Sequence, residues 1–258
     1  MSPQGYSGLF HMMALSDFSP WSEYARFTDW FIDYGVPYSI RIKGKDIRQY
    51  DRTIEKRVIS VVDKYKVSMT RADAGHKHEP VDVLIDIPLN KQQQKFYKQL
   101  DADKVIPKYD ILGDTPSKLN NKKHQISGGF VKNEFGEVYT LKNNPKMDWL
   151  KANVEDPSDT IILAHHIEEQ IALAKEFPNT GSITKLCEGK DFSHFKNMII
   201  YSMSFSAATY EQVRVRQANI NRKDPIKLIF LISGIDAHVY KAVKANKNFT
   251  ASWYKKNA

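Results

Sequence analysis

Four short apolar runs punctuate the last hundred residues: "TIILAHH", "GSITKL", "NMIIYSM" and "IKLIFLI". Three of them lead into segments whose apolar residues recur every three or four positions: "IEEQIALAKEF", "AATYEQVRVRQAN" and "IDAHVYKAVKANK". A short continuous apolar run reads as a strand buried on both faces, and a period near 3.6 reads as an amphipathic helix. Strands alternating with helices predict a mostly parallel sheet over 159–258 with helices on both faces. In such sheets ligands bind beyond the carboxyl ends of the strands. That rule makes the loops "CEGKD" and "SMSFS" and the connection "TYEQVRVRQANINR" candidates for a functional rim.

The pattern upstream is different. In "SPWSEYARFTDWFIDYG" the aromatic residues Trp21, Tyr24, Phe27, Trp30, Phe31 and Tyr34 recur at spacings of three and four, predicting one helix capped at Ser19 and ended by Gly35 and Pro37. "YDRTIEKRVISVVDKYK" predicts a second, so residues 1–80 read as a helical extension whose aromatic face is core or interface. Residues 81–158 read as a linker: a strand "VDVLIDIPL", a helix "NKQQQKFYKQL", and a long polar connection or lid over 101–121. A hairpin turning at Asn133–Gly136 and a short helix "NPKMDWLKANVED" complete it.

With 258 residues and 41% hydrophobic content, the chain can bury a large core. Its formal charge of +8 is uneven: from Asn197 to the end there are ten Lys/Arg against three Asp/Glu. A concentrated positive field attracts polyanions. Cys187 is the sole cysteine, so no internal disulfide or Cys-rich zinc site is available and a reducing cytoplasm is the expected setting. No apolar run approaches the ~18–20 residues of a membrane span, so no membrane role is expected. "MSPQGYSGLFHMM" lacks the pattern of a secretory leader. The pairs in "HKH" (76–78) and "HH" (165–166) lack a third ligand at suitable spacing, so no metal site is expected.

Taken in order, these features resemble the second RecA-like lobe of a superfamily-two helicase of the Swi/Snf type, in the form found in bacteriophages. Gln212 and Arg216 match the first two positions of that family's last motif, and Gly189 in "CEGKDFSHFKNMIIYSMSFS" takes the place of the glycine in the preceding one. "DTIILAHHIEEQIALAKEF" resembles the opening of the lobe, "GIDAHVYKAVKANKNF" its close, and "VDVLIDIPLNKQQQKFYKQL" the segment between lobes. Such motors bind ATP between two lobes. The first carries the phosphate loop and magnesium ligands; the second supplies arginines that neutralise charge on the transferring phosphoryl group. The guanidinium fork suits that role because it stays charged and pairs with phosphate bidentately.

The resemblance therefore implies catalytic roles for Arg216 and Arg222 and nucleotide contacts from Gly189, Asp191, Gln212 and Asn219. It further implies nucleic-acid contacts from Ser204, Ser206, Lys241, Lys244 and Lys247. By their place near the basic loops, Tyr201, Phe205 and Tyr210 read either as stacking partners for bases or as core. Asn219 stands where the family has its second arginine, and Arg222 three residues later, so either Arg222 substitutes or hydrolysis is impaired. The sequence contains no Gly-x-x-x-x-Gly-Lys-Ser/Thr; "KGKD" (43–46) and "EGKD" (188–191) lack the first glycine and the hydroxyl. The expectation is a helicase half beginning where the first lobe ends. It would use ATP and Mg2+ only at a site shared with a separate chain carrying that lobe, would bind DNA or RNA, and would work in the bacterial cytoplasm if phage-encoded. The alternatives are a binding module that holds nucleic acid without turnover, and a docking protein whose aromatic helices cap a partner.

Overall fold

The computed structural model describes residues 6–42, 44–67, 69–75, 78–186, 189–218 and 224–257. They form two compact units, 1–74 and 75–258. In the first, helices α1 (Gly8–Met13), α2 (Phe27–Tyr34) and α3 (Glu55–Val62) enclose an aromatic core. Trp30 is fully buried, stacks on Tyr34 at a ring separation of 5.2 Å and meets Trp21 edge-on at 5.2 Å. The aromatic stripe is thus mostly core. The helix expected from Ser19 begins only at Phe27: the Ser19 hydroxyl accepts from the Trp21 backbone N–H as a cap would, but the chain runs through turns over 20–26 before the helix forms. A hairpin of β1 (Tyr38–Ile42) and β2 (Lys45–Gln49) is an addition to the expected helices; Gly44, at φ 79°, makes its turn.

The second unit is built on a five-stranded sheet. In chain order its strands are β3 (Val81–Asp86), β8 (Thr160–Ala164), β9 (Thr180–Ser182), β10 (Asn197–Ile200) and β11 (Lys227–Ile232), arranged spatially as β3-β11-β10-β8-β9 with all neighbours parallel. This is the expected α/β, RecA-like architecture. The strand "VDVLID", assigned from the sequence to a linker, lies along the edge of this sheet beside β11.

Alternation along the strands sends side chains to two cores. Ile161 and Leu163 face helices α8 (Ala207–Arg214) and α9 (Asp236–Lys244); Ile162 and Ala164 face α6 (Pro145–Asn153) and α7 (Ile167–Leu173). A satellite layer holds α4 (Lys91–Asp103), β4 (Val105–Ile106), β5 (Ile111–Leu112), α5 (Pro116–Ser127) and the hairpin β6 (Phe130–Lys132) and β7 (Val138–Thr140) around Phe96, Leu100 and Ile126. Asn90 and Gln93 form a reciprocal capping box at the start of α4. The chain closes with α10 (Ala251–Asn257). Among the described residues, no helix is long and apolar enough to cross a membrane.

The stretch 101–121, expected as an open connection, is largely structured: β4, β5 and the start of α5 occupy it. Thr115 caps α5 by accepting from the Lys118 backbone N–H, with Pro116 in the first turn. Most of the side chains α5 buries are polar, including Asn120, Lys122, Lys123, His124 and Gln125.

One buried ion pair ties these layers together. Lys146 on α6 and Asp236 on α9 are each about 1% exposed and meet at 2.6 Å. The Lys146 ammonium also donates to the Tyr201 carbonyl at 2.6 Å, just past the end of β10. Removing one partner of such a pair strands the other charge, which costs about 3–5 kcal/mol. Lys146→Met should therefore lower the urea-unfolding free energy of the chain by that amount, well beyond the loss of a surface lysine.

Candidate functional site

Topology decides where the expected site residues lie. A helix that follows a parallel strand leaves its carboxyl end and runs back toward the amino edge. The "SMSFS" loop therefore sits at the carboxyl edge, whereas the end of α8, with Arg214 and Arg216, sits at the amino edge. The segment 189–196 leads into β10 and lies at that same amino edge. The single carboxyl rim expected from the sequence is thus two opposite edges. Gly189 and Arg216 share one; Ser204 and Ser206 occupy the other.

At the amino edge the chain makes a direct link: the Phe192 backbone N–H donates to the Arg216 carbonyl at 2.9 Å. Arg216 lies two residues beyond α8 and is half-buried, with Gln212 one turn earlier. Gly189 is exposed at φ 66°, a conformation that favours glycine, with open space where a Cβ would stand. Asp191 is exposed, and its carboxylate accepts from the Ser193 backbone N–H at 2.8 Å, which holds its pKa below the usual carboxylate range. That acid is therefore engaged in its own turn. Asn219, Arg222 and Cys187, and His76 and Lys77 of "HKH", lie outside the described residues.

Arg214, two residues before Arg216, is bound internally. Its Nε meets Asp82 Oδ1 at 3.1 Å, its Nη2 donates to the Pro80 carbonyl at 2.9 Å, and its guanidinium lies 5.4 Å from the Tyr210 ring centre. Asp82, only 4% exposed, also accepts from the hydroxyls of Tyr210 and, at 2.9 Å, Tyr240. One carboxylate on β3 thus holds α8 and α9 at once. Burial and the Asp82 contact push the Tyr210 hydroxyl well above its ordinary pKa. Tyr210 is therefore a clamp residue and not a base-stacking platform.

At the carboxyl edge, the Ser204 and Ser206 hydroxyls, expected to contact nucleic acid, serve the local turn. Ser204 accepts from the Ser206 backbone N–H and Ser206 from that of Thr209, capping α8. Tyr201 is buried, and its hydroxyl donates to the Gly128 carbonyl at 2.8 Å. Phe205 remains half-buried, 4.9 Å from the His124 ring. Away from this edge, along α9 as it returns and just beyond it, Lys241, Lys244 and Lys247 are exposed, and Lys244 rests 5.2 Å from the Tyr240 ring centre.

Beneath the carboxyl edge lies a polar network that sequence reasoning missed. His124 on α5 reaches Asp236 at 3.2 Å and the His166 ring at 2.9 Å. Glu169, fully enclosed, accepts from the His166 backbone N–H at 3.1 Å and from the Ser202 hydroxyl. A Cβ on Gly128 would lie 1.9 Å from its other oxygen, so the glycine makes room for the carboxyl. Burial pushes the Glu169 carboxyl up. For Asp236, burial also acts upward, but Lys146 and His124 outweigh it and hold the carboxyl below its ordinary range. Burial presses His165 down to about 4, and burial with neighbouring His124 presses His166 down to about 2. Although several titratable groups meet here, no group of three or more His, Cys, Asp or Glu able to hold a metal is found among the described residues.

No family model and no curated protein matches the sequence. Among solved structures, the chain is similar to the C-terminal part of the Fun30 ATPase domain, at 12% identity and a TM-score of 0.46, over 69% of this chain and 93% of that one.

Two outcomes are expected. Asp82→Ala removes the shared acceptor of three donors and should cost about 2–3 kcal/mol in urea unfolding. Separately, the unfolded chain protonates His165 and His166 near pH 6.5, whereas the folded chain resists until about 4 and 2. In that window the unfolded state binds more protons, so stability should fall as pH falls from 7 to 5, by up to about 2 kcal/mol per histidine. Urea titrations at the two pH values should show this, and His165→Gln should remove close to half of the drop.

Proposed function

We propose that this chain is the second RecA-like lobe of a nucleic-acid-dependent ATPase of the helicase class, in the Swi/Snf manner. In this reading it presents Arg216, with Arg222, to a nucleotide held by a first lobe on a separate chain, and binds DNA or RNA through Lys241, Lys244 and Lys247. ATP and Mg2+ belong to the shared site, and the setting is the cytoplasm, that of a bacterial host if the chain is phage-encoded. The observation that supports this reading best is the amino edge of the sheet. There the glycine-bearing loop before β10 and the residue after α8 that match two motifs of the resemblance are joined through the Phe192–Arg216 backbone bond.

The chemistry assigns a limited task to these residues. Phosphoryl transfer needs a phosphate cradle, a metal site, a positioned water and charge neutralisation. This chain has no phosphate-loop motif in its sequence. Its arginine adds a fixed cation where negative charge develops, and it does so more strongly in the transition state than in the ground state.

Purified alone, the chain should not hydrolyse ATP, with or without DNA. Supplied with a first lobe carrying a phosphate loop, it should restore DNA-stimulated turnover, and Arg216→Ala should reduce that turnover by about 10³-fold or more while leaving the chains associated. Turnover by the chain alone would overturn the reading.

Its nucleic-acid half is tested by fluorescence anisotropy with a labelled DNA duplex. Affinity should fall steeply between about 50 and 200 mM salt, and Lys241→Glu, Lys244→Glu and Lys247→Glu together should flatten the log–log slope by about 3.

A further inference from the structure

On the carboxyl edge, opposite Arg216, a cavity of about 370 Å³ opens between α5, the turns after β8 and β10, and the segment joining α9 to α10. Its wall is aromatic and amide: His165, Phe205, Phe249, Asn120 and Asn121, with the Ser117 hydroxyl; no Lys, Arg, Asp or Glu lines it. Its volume suits a small ligand. The absence of charge on the wall rules against phosphate or carboxylate as the group held inside.

Two polar groups in this wall lack partners. Asn120 is 3% exposed and, among the described residues, makes no side-chain hydrogen bond. Nδ1 of His165 is buried and likewise without a partner. The Asn120 amide opens onto the cavity beside a buried imidazole nitrogen that lacks a partner, so the wall offers donors and acceptors to a ligand. An amide offers both, and a neutral imidazole offers one of each. The remaining wall is ring surface: Phe205 and Phe249 lie 5.3 Å apart at 60°, and His165 lies 5.8 Å from Phe205 at 32°. A ligand matching these features is flat, uncharged and polar along its edge.

We propose that this cavity holds one unpaired nucleobase, with its faces against the aromatic wall and its edge hydrogen-bonded to the Asn120 amide. Base faces stack on aromatic side chains in a sequence-tolerant way, and an asparagine amide pairs with a base edge through both its atoms. The base comes either from a single strand or from a free nucleoside; a paired base inside a duplex cannot enter. Because the cavity lies on the edge away from Arg216, the inference is independent of the ATPase reading.

Quenching of 2-aminopurine fluorescence tests it. The probes are 2-aminopurine riboside, a short single-stranded oligonucleotide with one central 2-aminopurine, and the same oligonucleotide annealed to its complement. Saturable quenching is expected with the single strand or the riboside, at least tenfold weaker with the duplex. A response to the riboside alone identifies a free nucleoside as the source; a response to the strand alone identifies nucleic acid. Asn120→Ala should weaken binding about tenfold. Ser117→Leu, which narrows the mouth from an exposed position and leaves the core untouched, should act in the same direction, and it decides the matter if the Asn120 variant does not fold. Arg216→Ala should leave the affinity unchanged. No saturable quenching by either unpaired probe, or full affinity in Ser117→Leu and in a folded Asn120→Ala, would overturn the proposal.

Discussion

The second unit depends on the buried charge pair between Lys146 and Asp236. Two charges taken out of water are costly unless each finds a full set of partners. Here the ammonium is shared between Asp236 and the Tyr201 carbonyl, and the carboxylate also accepts from the Ser233 backbone N–H and meets His124. These partners come from α6 on one face of the sheet, α9 on the other, the end of β10 and the satellite helix α5. The pair therefore fixes four elements with respect to one another, which apolar packing alone does not do so specifically. Glu169, Ser202 and the histidines extend the same arrangement along the carboxyl edge.

The two edges of the sheet divide the chemistry. The amino edge is where α8 delivers its arginines, one of them already committed to Asp82. The carboxyl edge holds a recess whose wall carries no charge, with the Lys146–Asp236 pair buried below. The half-buried Arg216 at the one edge carries a fixed charge, whereas the recess at the other is walled by amide, imidazole and ring surface. The contrast follows from the return path of a helix after a parallel strand: residues about ten apart in sequence, such as Ser206 and Arg216, end on opposite sides of the domain.

What the sequence makes legible is whatever hydropathy encodes. The strands of the sheet, with Ile161, Ile199 and Leu228 buried in unbroken apolar runs, stand out from it, as do the hairpin around Gly136 and the helices with apolar stripes. Helix α5 does not, because its inward face is Asn120, His124 and Gln125 and its one buried aliphatic is Ile126; no periodic signal marks a helix that buries polar groups. The aromatic stripe before α2 misleads in the opposite way: Trp21 is buried from a turn, and spacing alone does not separate a turn from a helix. The site residues are legible by type but not by place. Lys146, Asp236 and Asp82 read as ordinary surface charges until the fold brings partners from up to 158 positions away, as with Tyr240 and Asp82.

The Asp82 clamp also bears on how the chain finds its fold. β3 joins the sheet by pairing with β11 from the far end of the unit, and such distant pairings form late because their loops are costly to close. A parallel edge strand has few ways of knowing its correct alignment, and a slip of one residue turns every side chain to the wrong face. Asp82 removes that ambiguity. Only with Leu228 opposite it does its carboxylate meet the hydroxyls of Tyr210 and Tyr240 and the Arg214 guanidinium. A neighbouring alignment would leave those three donors without their acceptor and bring an apolar residue, Val81 or Val83, to them instead. The carboxylate thus works as an alignment key, a single charge that selects the register of the edge strand.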